Sequence, residues 1–276
     1  FPVTIGGGLR RGTVNVIGAR MKQGKSMLGM NMGYKVARNA IPVLMLDTEM
    51  TFEDHTNRMI AMLMEQPIKQ VENGAFIDDN IEHIKRIKAY LHQLPYYYKN
   101  ISGYSFEEQL AVMRNWLVKN VGMKDGQFGE CLIILDYLKL MNSGEINYNS
   151  AEHQLLGFMM TSLHNFAVKY HVPVLTFVQL NRDGISNEDS SVISGSDRIG
   201  WLCSTLSIFK SKEPAEIAVD GIKNGNRKLI PILTRHGPGL MGGEYISCQL
   251  DGRFGRVREI GRNTVHNSTV GDGIIF

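Results

Sequence analysis

The chain holds 276 residues, 43% of them hydrophobic and 21% charged, with a formal net charge of +3. These proportions fit a folded globular protein of one large domain or two small ones, with a sizeable core. They exclude a membrane-spanning helix, since no run approaches ~18 consecutive apolar residues, and no signal-peptide pattern opens the chain. The mild positive charge permits nucleic acid as a partner without demanding it. Cys131, Cys203 and Cys248 lie singly in apolar segments. They read as buried thiols of a reducing, cytoplasmic compartment, not as a disulfide framework or metal site. The chain starts at Phe1 rather than Met and is expected to be a piece of something longer.

Phe1 to Gly12 is a Gly-rich lead-in to a first strand, Val14-Asn15-Val16-Ile17. Gly18-Ala19-Arg20-Met21-Lys22-Gln23-Gly24-Lys25-Ser26 follows, and Ala19-x4-Gly24-Lys25-Ser26 fits a phosphate-binding loop with Ala in place of the common Gly. Average residue usage gives a chance match in roughly 2 of 100 chains this long, so context decides. The context is the required one, a strand before and a helix, Lys25 to Arg38, behind. Gly29 and Gly33 on that helix are expected to let it approach a sheet closely. Val43 to Asp47 is a strand ending in Thr48-Glu49-Met50, and Thr51 caps a helix through Leu63. Residues 66–100 are less legible: a polar helix over Ile81 to Leu91, then a strand over Tyr96 to Lys99. Ser105 and Glu108 form a capping-box pattern for a helix from Phe106 to Val121, and Met123 to Glu130 reads as a loop.

Cys131 to Asp136 is an apolar strand ending in a carboxylate, and Val172 to Gln179 is a second apolar strand, ending in an amide. Neither alternates, as expected for strands buried on both faces of a parallel sheet. Between them lie a polar loop, Asn142 to Ser150, and a long helix, Ala151 to Tyr170. Arg182 to Ser196 is polar. Thr205 to Lys210, Leu229 to Arg235, Glu244 to Leu250 and Arg256 to Ile260 are strands, the last three an antiparallel group. Strands alternating with helices predict an α/β fold with a mainly parallel central sheet flanked by helices and a terminal antiparallel strand group. One domain is expected over residues 1–261, with a tail over 262–276.

The segments Ala19-Arg20 to Gly24-Lys25-Ser26, Leu46-Asp47-Thr48-Glu49-Met50, Leu132-Ile133-Ile134-Leu135-Asp136-Tyr137-Leu138-Lys139-Leu140-Met141 and Gln179-Leu180-Asn181-Arg182 occur in order. Together they resemble the ATPase domain of DnaB-type hexameric replicative helicases, including the phage helicases and Twinkle. The resemblance covers the chain from Gly7 to about Gly261. It implies a RecA-like P-loop NTPase fold, a homohexameric ring and ATP bound between subunits.

Chemistry and the resemblance together imply roles for these positions, several with an ordinary alternative, such as a surface arginine for Arg235 and a solvated helix face for Arg58. Ala19, Arg20, Met21, Lys22, Gln23, Gly24, Lys25, Ser26 and Met27 would surround the phosphates of ATP or another NTP. Lys25 would reach the β and γ phosphates and the Ser26 hydroxyl would meet Mg²⁺. Glu49 could activate the attacking water or be a solvated strand-end carboxylate. Asp136 could hold Mg²⁺ or cap a turn. Gln179 could sense the γ-phosphate, its role by resemblance, or tie a strand end. Arg235 is by resemblance an arginine finger acting on a neighbouring subunit's ATP, although Leu233 stands where many members have Lys. Lys223, Arg227 or Lys228 could supply that second charge. Arg58 matches an arginine near the base in relatives, and Arg182 and Arg198 are the candidates for DNA contact.

These readings converge on an ATP-dependent DNA helicase motor that translocates on single-stranded DNA, with Mg²⁺ as cofactor. A primase or primase domain and other replisome proteins are the expected partners. A RecA/RadA-like filament protein and a nucleotide-switched loading module stay open as alternatives.

Overall fold

The computed structural model describes residues 1–75, 79–138, 150–180 and 196–263. Its centre is β1 (Val14–Ala19), buried at every residue. Parallel neighbours lie on both sides, β7 (Val174–Gln179) and β8 (Thr205–Ser211). This double flanking is why the run shows no alternation. Beyond β7 the sheet continues in parallel through β6 (Leu132–Asp136), β2 (Val43–Asp47) and β3 (Tyr96–Asn100). Beyond β8 it continues antiparallel through β9 (Arg227–Thr234), β10 (Tyr245–Asp251) and β11 (Arg256–Asn263). The order of the nine strands is β11-β10-β9-β8-β1-β7-β6-β2-β3. The expected mainly parallel sheet with a terminal antiparallel group is therefore present.

Alternate residues of the strands feed two cores, one on each face. Val16, Leu44, Leu46, Ile133 and Leu135 join Met160 and Leu163 of α6 (Ser150–Tyr170) and Leu110 and Met113 of α5 (Phe106–Trp116). Ile17, Met45, Ile134, Leu175 and Phe177 join Leu28 and Ala37 of α1 (Lys25–Ala37). The two glycines of α1 sit where expected. A Cβ on Gly29 would lie 2.9 Å from the Phe177 ring, and one on Gly33 would lie 2.9 Å from the Tyr96 ring. Asn31, between them, fastens α1 to the last hairpin. Its amide nitrogen donates to Gly255 O at 2.8 Å, and its oxygen accepts from the Val257 amide at 3.1 Å.

Several elements differ from expectation. The helix begun at Phe106 ends as α-helix at Trp116 and continues as a π-turn over Leu117–Val121. The loop after it contains a small hairpin, β4 (Met123–Lys124) and β5 (Gln127–Phe128). Asp125 and Gly126 turn it, both with positive φ, as a two-residue hairpin loop requires. After β2 come α2 (Phe52–Met64), α3 (Ile68–Glu72) and α4 (Asp79–Gln93). Two further short helices were not expected: α7 (Ser196–Leu202) and α8 (Pro214–Asp220), the latter followed by a 3-10 turn, Ile222–Asn224. The last strand runs to Asn263, past the expected domain end at 261. Residues 264–276 of the tail lie outside the described residues.

The connection between β8 and β9 is held by buried charge. Lys212 meets Asp220 at 2.5 Å, with both side chains nearly inaccessible, and also donates to Asn224 O and Ser247 Oγ. Lys228 pairs with Glu216, and Tyr245 donates to Asp220 at 2.7 Å. Both ammonium groups stand over the Tyr245 ring. At the other end of β9 the lead-in packs backbone to backbone. A Cβ on Gly6 would fall 2.2 Å from His236 O, and one on Gly237 would fall 2.1 Å from Thr4 O.

Candidate active site

The carboxyl ends of β1, β2, β6, β7 and β8 open on one edge of the sheet, because all five run parallel. The loop from Arg20 to Gly24 leaves β1 there and enters α1. Gly24 caps α1 at φ 98 and Lys22 has φ 61. The first turn of α1 holds no acidic residue, so its dipole is free to face an anion. Lys25 Nζ lies 3.4 Å from both Ala19 O and Arg20 O and 5.3 Å from the centre of the Tyr137 ring. Burial lowers its pKa, and the nearby Asp136 and Glu49 charges oppose that shift.

Asp47 and Asp136 are register partners at the ends of β2 and β6. Asp136 is 2% exposed and accepts a hydrogen bond from the Ser26 hydroxyl. Burial above all raises its pKa, to about 7, with Asp47 and Glu49 adding to the rise and Ser26 and Lys25 opposing it. Its Oδ1 has no partner among the described residues. Asp47 is also buried, and desolvation lifts its pKa. Its Oδ1 accepts from the Glu49 amide at 2.7 Å and from the Met50 amide at 2.9 Å. That turn is held from the β3 side as well, because Tyr98 Oη and Asn100 Nδ2 both donate to Met50 O. Glu49 is thereby projected outward from a fixed turn. Its Oε1 accepts from the Tyr137 hydroxyl at 3.1 Å. Gln179, exposed, ends β7 opposite Ala19. Lys25, Ser26, Glu49, Asp136 and Gln179 thus share one edge.

Arg235 does not join them. It follows β9, whose register puts Thr234 opposite Thr205, at the start of β8. Its amide bonds Ser204 O, and its guanidinium caps the end of α7, donating to Cys203 O, Gly200 O and Trp201 O at 2.8, 3.1 and 2.7 Å. The phosphate loop meets β8 at the other end, where the Gln23 side chain bonds Ser211. A strand of seven residues separates the two ends by roughly 20 Å. Of the possible second charges, Lys228 is committed to Glu216, Arg227 lies by the phosphate loop of its own chain, and Lys223 is exposed.

Arg58 lies on α2, where its charge is felt by Asp47, Asp54, His55 and Tyr98. Arg198 of α7 is exposed and lies across Gly157 of α6. Arg182, and nearly all of the polar stretches Asn142 to Ser150 and Arg182 to Ser196, lie outside the described residues. Sequence reasoning gave no role to Asp47 or Tyr137. Both stood in the segments quoted above, and Asp47 carried a signal: an Asp whose carboxylate can fold onto the amides two and three residues on is a turn former.

A phosphate loop between the central strand and its helix, with carboxylates ending the strands two and three places away, defines a RecA-like P-loop fold. The family model described as DnaB-like helicase C terminal domain matches residues 4–194, and the chain belongs to that family. It is 25% identical over 186 residues to the replicative DNA helicase DnaB of Helicobacter pylori, covering 67% of this chain and 36% of that protein. It is 26% identical over 177 residues to the DnaB of Synechocystis, covering 64% and 19%. The chain therefore spans about a third or less of these curated relatives. Two solved structures share the fold. One, an ATPase domain, aligns with a TM-score of 0.76 at 15% identity, over 92% of this chain and 86% of that one. A DnaB-like replicative helicase, described together with its interactions with primase, aligns at 0.75 and 16%, over 91% and 58%.

Proposed function

We propose that this chain is the ATP-driven motor domain of a replicative DNA helicase. One observation carries the reading. Lys25, Ser26, Glu49 and Asp136 gather around the phosphate loop, while Arg235 stands at the far end of the same sheet. A finger so placed cannot serve its own loop and can serve a neighbour's. We take the domain to run to the end of β11 at Asn263.

In this reading Lys25 and the amides at the start of α1 bind the phosphates of ATP or another NTP. Ser26 and Asp136 would hold Mg²⁺, which suits the unpartnered Asp136 Oδ1 and the hydroxyl already beside it. Bound there, the ion would neutralise phosphate charge. Among the described residues no cluster of three His, Cys, Asp or Glu side chains forms. Few protein ligands suit Mg²⁺, which keeps water and phosphate oxygens in its shell. Glu49 orients and activates the attacking water, held by Asp47 from behind and Tyr137 from the side. Gln179 senses the γ-phosphate, and Arg235 of one copy completes the site of the next. Arg58 is assigned to the nucleotide, and Arg182 and Arg198 to DNA.

The motor would work as a homohexameric ring on single-stranded DNA in the cytoplasm, with a primase and other replisome proteins as partners. Among the described residues no helix is long and apolar enough to cross a membrane. The filament and switch alternatives gain nothing from the relatives found. The test is the ATP hydrolysis rate with and without single-stranded DNA over a range of protein concentration, with Glu49→Gln as the blank. Stimulation by DNA that rises steeply with concentration is expected. Hydrolysis indifferent to both would overturn the reading.

A further inference from the structure

We propose that Gln23 is a positioning residue that clamps the phosphate loop to the β8–β9 edge of the sheet through Ser211 and Arg227. The clamp would hold the loop in its nucleotide-ready shape before nucleotide arrives. The inference rests on reading residues 19–26 as a nucleotide cradle and adds how that cradle is kept formed.

The loop has a problem to solve. Lys22, at φ 61, adopts a left-handed conformation that L side chains disfavour. Such a conformation persists where surrounding contacts over-determine it. Gln23 follows directly and is tied at both ends. Its Oε1 accepts from the Ser211 amide at 3.0 Å and from the Ser211 hydroxyl at 2.8 Å. Its backbone carbonyl faces Arg227 Nε at 3.5 Å. Gly24 comes next, and the Leu250 side chain sits 3.0 Å from where its Cβ would be. Three strands, β8, β9 and β10, thus bear on two successive loop residues.

The anchor is itself rigid. Ser211 and Arg227 are register partners, and the chain from Lys212 to Lys228 carries the Lys212–Asp220 and Lys228–Glu216 pairs. A loop fixed beforehand loses less freedom when phosphate binds. Loosening it should weaken nucleotide binding without unfolding the protein, since Gln23 and Ser211 belong to neither core.

The experiment titrates a fluorescent ATP analogue with Mg²⁺ against the 276-residue chain and its variants, with melting temperatures alongside. Gln23→Met removes both side-chain bonds and should weaken binding about tenfold, and Ser211→Ala removes one and should weaken it about threefold. The double variant should bind no more weakly than Gln23→Met alone, because the two residues act through one contact. Ser211→Thr keeps the hydroxyl and should restore wild-type affinity. Wild-type affinity in Gln23→Met, or a double variant weakened by the product of the two effects, overturns the clamp. Equal binding by wild type and Lys25→Ala overturns the nucleotide reading, and the clamp falls with it.

Discussion

Tyr137 touches both sides of the proposed catalytic cluster, its hydroxyl on Glu49 and its ring under the Lys25 ammonium. Tyr137→Phe keeps the ring and deletes the bond to the carboxylate. We expect kcat for ATP to fall about tenfold with KM little changed, since a lost bond to a charged group is worth about 1.5–3 kcal/mol. Steady-state hydrolysis checks this, and a raised KM at constant kcat would place Tyr137 in binding instead. His55 makes a different prediction. It is 1% exposed, stacks on Tyr98 at 4.0 Å, and neither ring nitrogen has a partner among the described residues. Burial depresses its pKa from 6.5 to about 3. The unfolded chain takes up this proton as pH falls below 6.5, whereas the native state resists until near 3. Its contribution to stability is thus complete above 6.5 and lost progressively down to 3. In urea titrations, His55→Phe should lose about 2–3 kcal/mol less than wild type between pH 7 and 4.5. Identical losses in the two proteins would refute this. Neither residue's role could be read from the sequence, because each depends on a partner from another strand or helix.

At the scale of elements, legibility followed the source of each element's stability. β1, β2, β6 and β7 stood out because burial on both faces demands unbroken apolar runs, and α1 because its glycines and loop mark it. α8 left no such trace. None of its apolar residues is buried, so it shows no apolar face. What fixes it is the charge network of Lys212, Lys228 and Tyr245 around Asp220 and Glu216. Those partners come from β9, β10 and the residue just after β8, which local periodicity cannot reveal. Lys212→Met should therefore cost about 3–5 kcal/mol in chemical denaturation, because it strands a buried carboxylate. A loss below about 1 kcal/mol would mean that Tyr245 and the other contacts of Asp220 satisfy its carboxylate. The β4–β5 hairpin is the opposite case. Its Asp125-Gly126 signal was present in the sequence, but strands of two residues are too short to show alternation.

For the whole molecule, the decisive fact is that Arg235 and the Lys25 cluster occupy opposite ends of one sheet. The sequence named both but could not show their separation, which follows from the antiparallel return of β9 along β8. Arg235→Ala should abolish turnover while leaving nucleotide binding intact. Mixing Arg235→Ala with Glu49→Gln chains should restore hydrolysis, because one partner then supplies the carboxylate and the other the finger. Mixtures as inactive as their components would rule out sites shared in this way. Arg235 also has a mechanical setting. Gly6 and Gly237 touch backbone to backbone, with no room between them for a side chain. The lead-in and the turn after Arg235 are therefore spliced without any compliant material in the joint. A displacement of residues 4–6 would be felt directly at the turn after Arg235, the residue we propose as the finger.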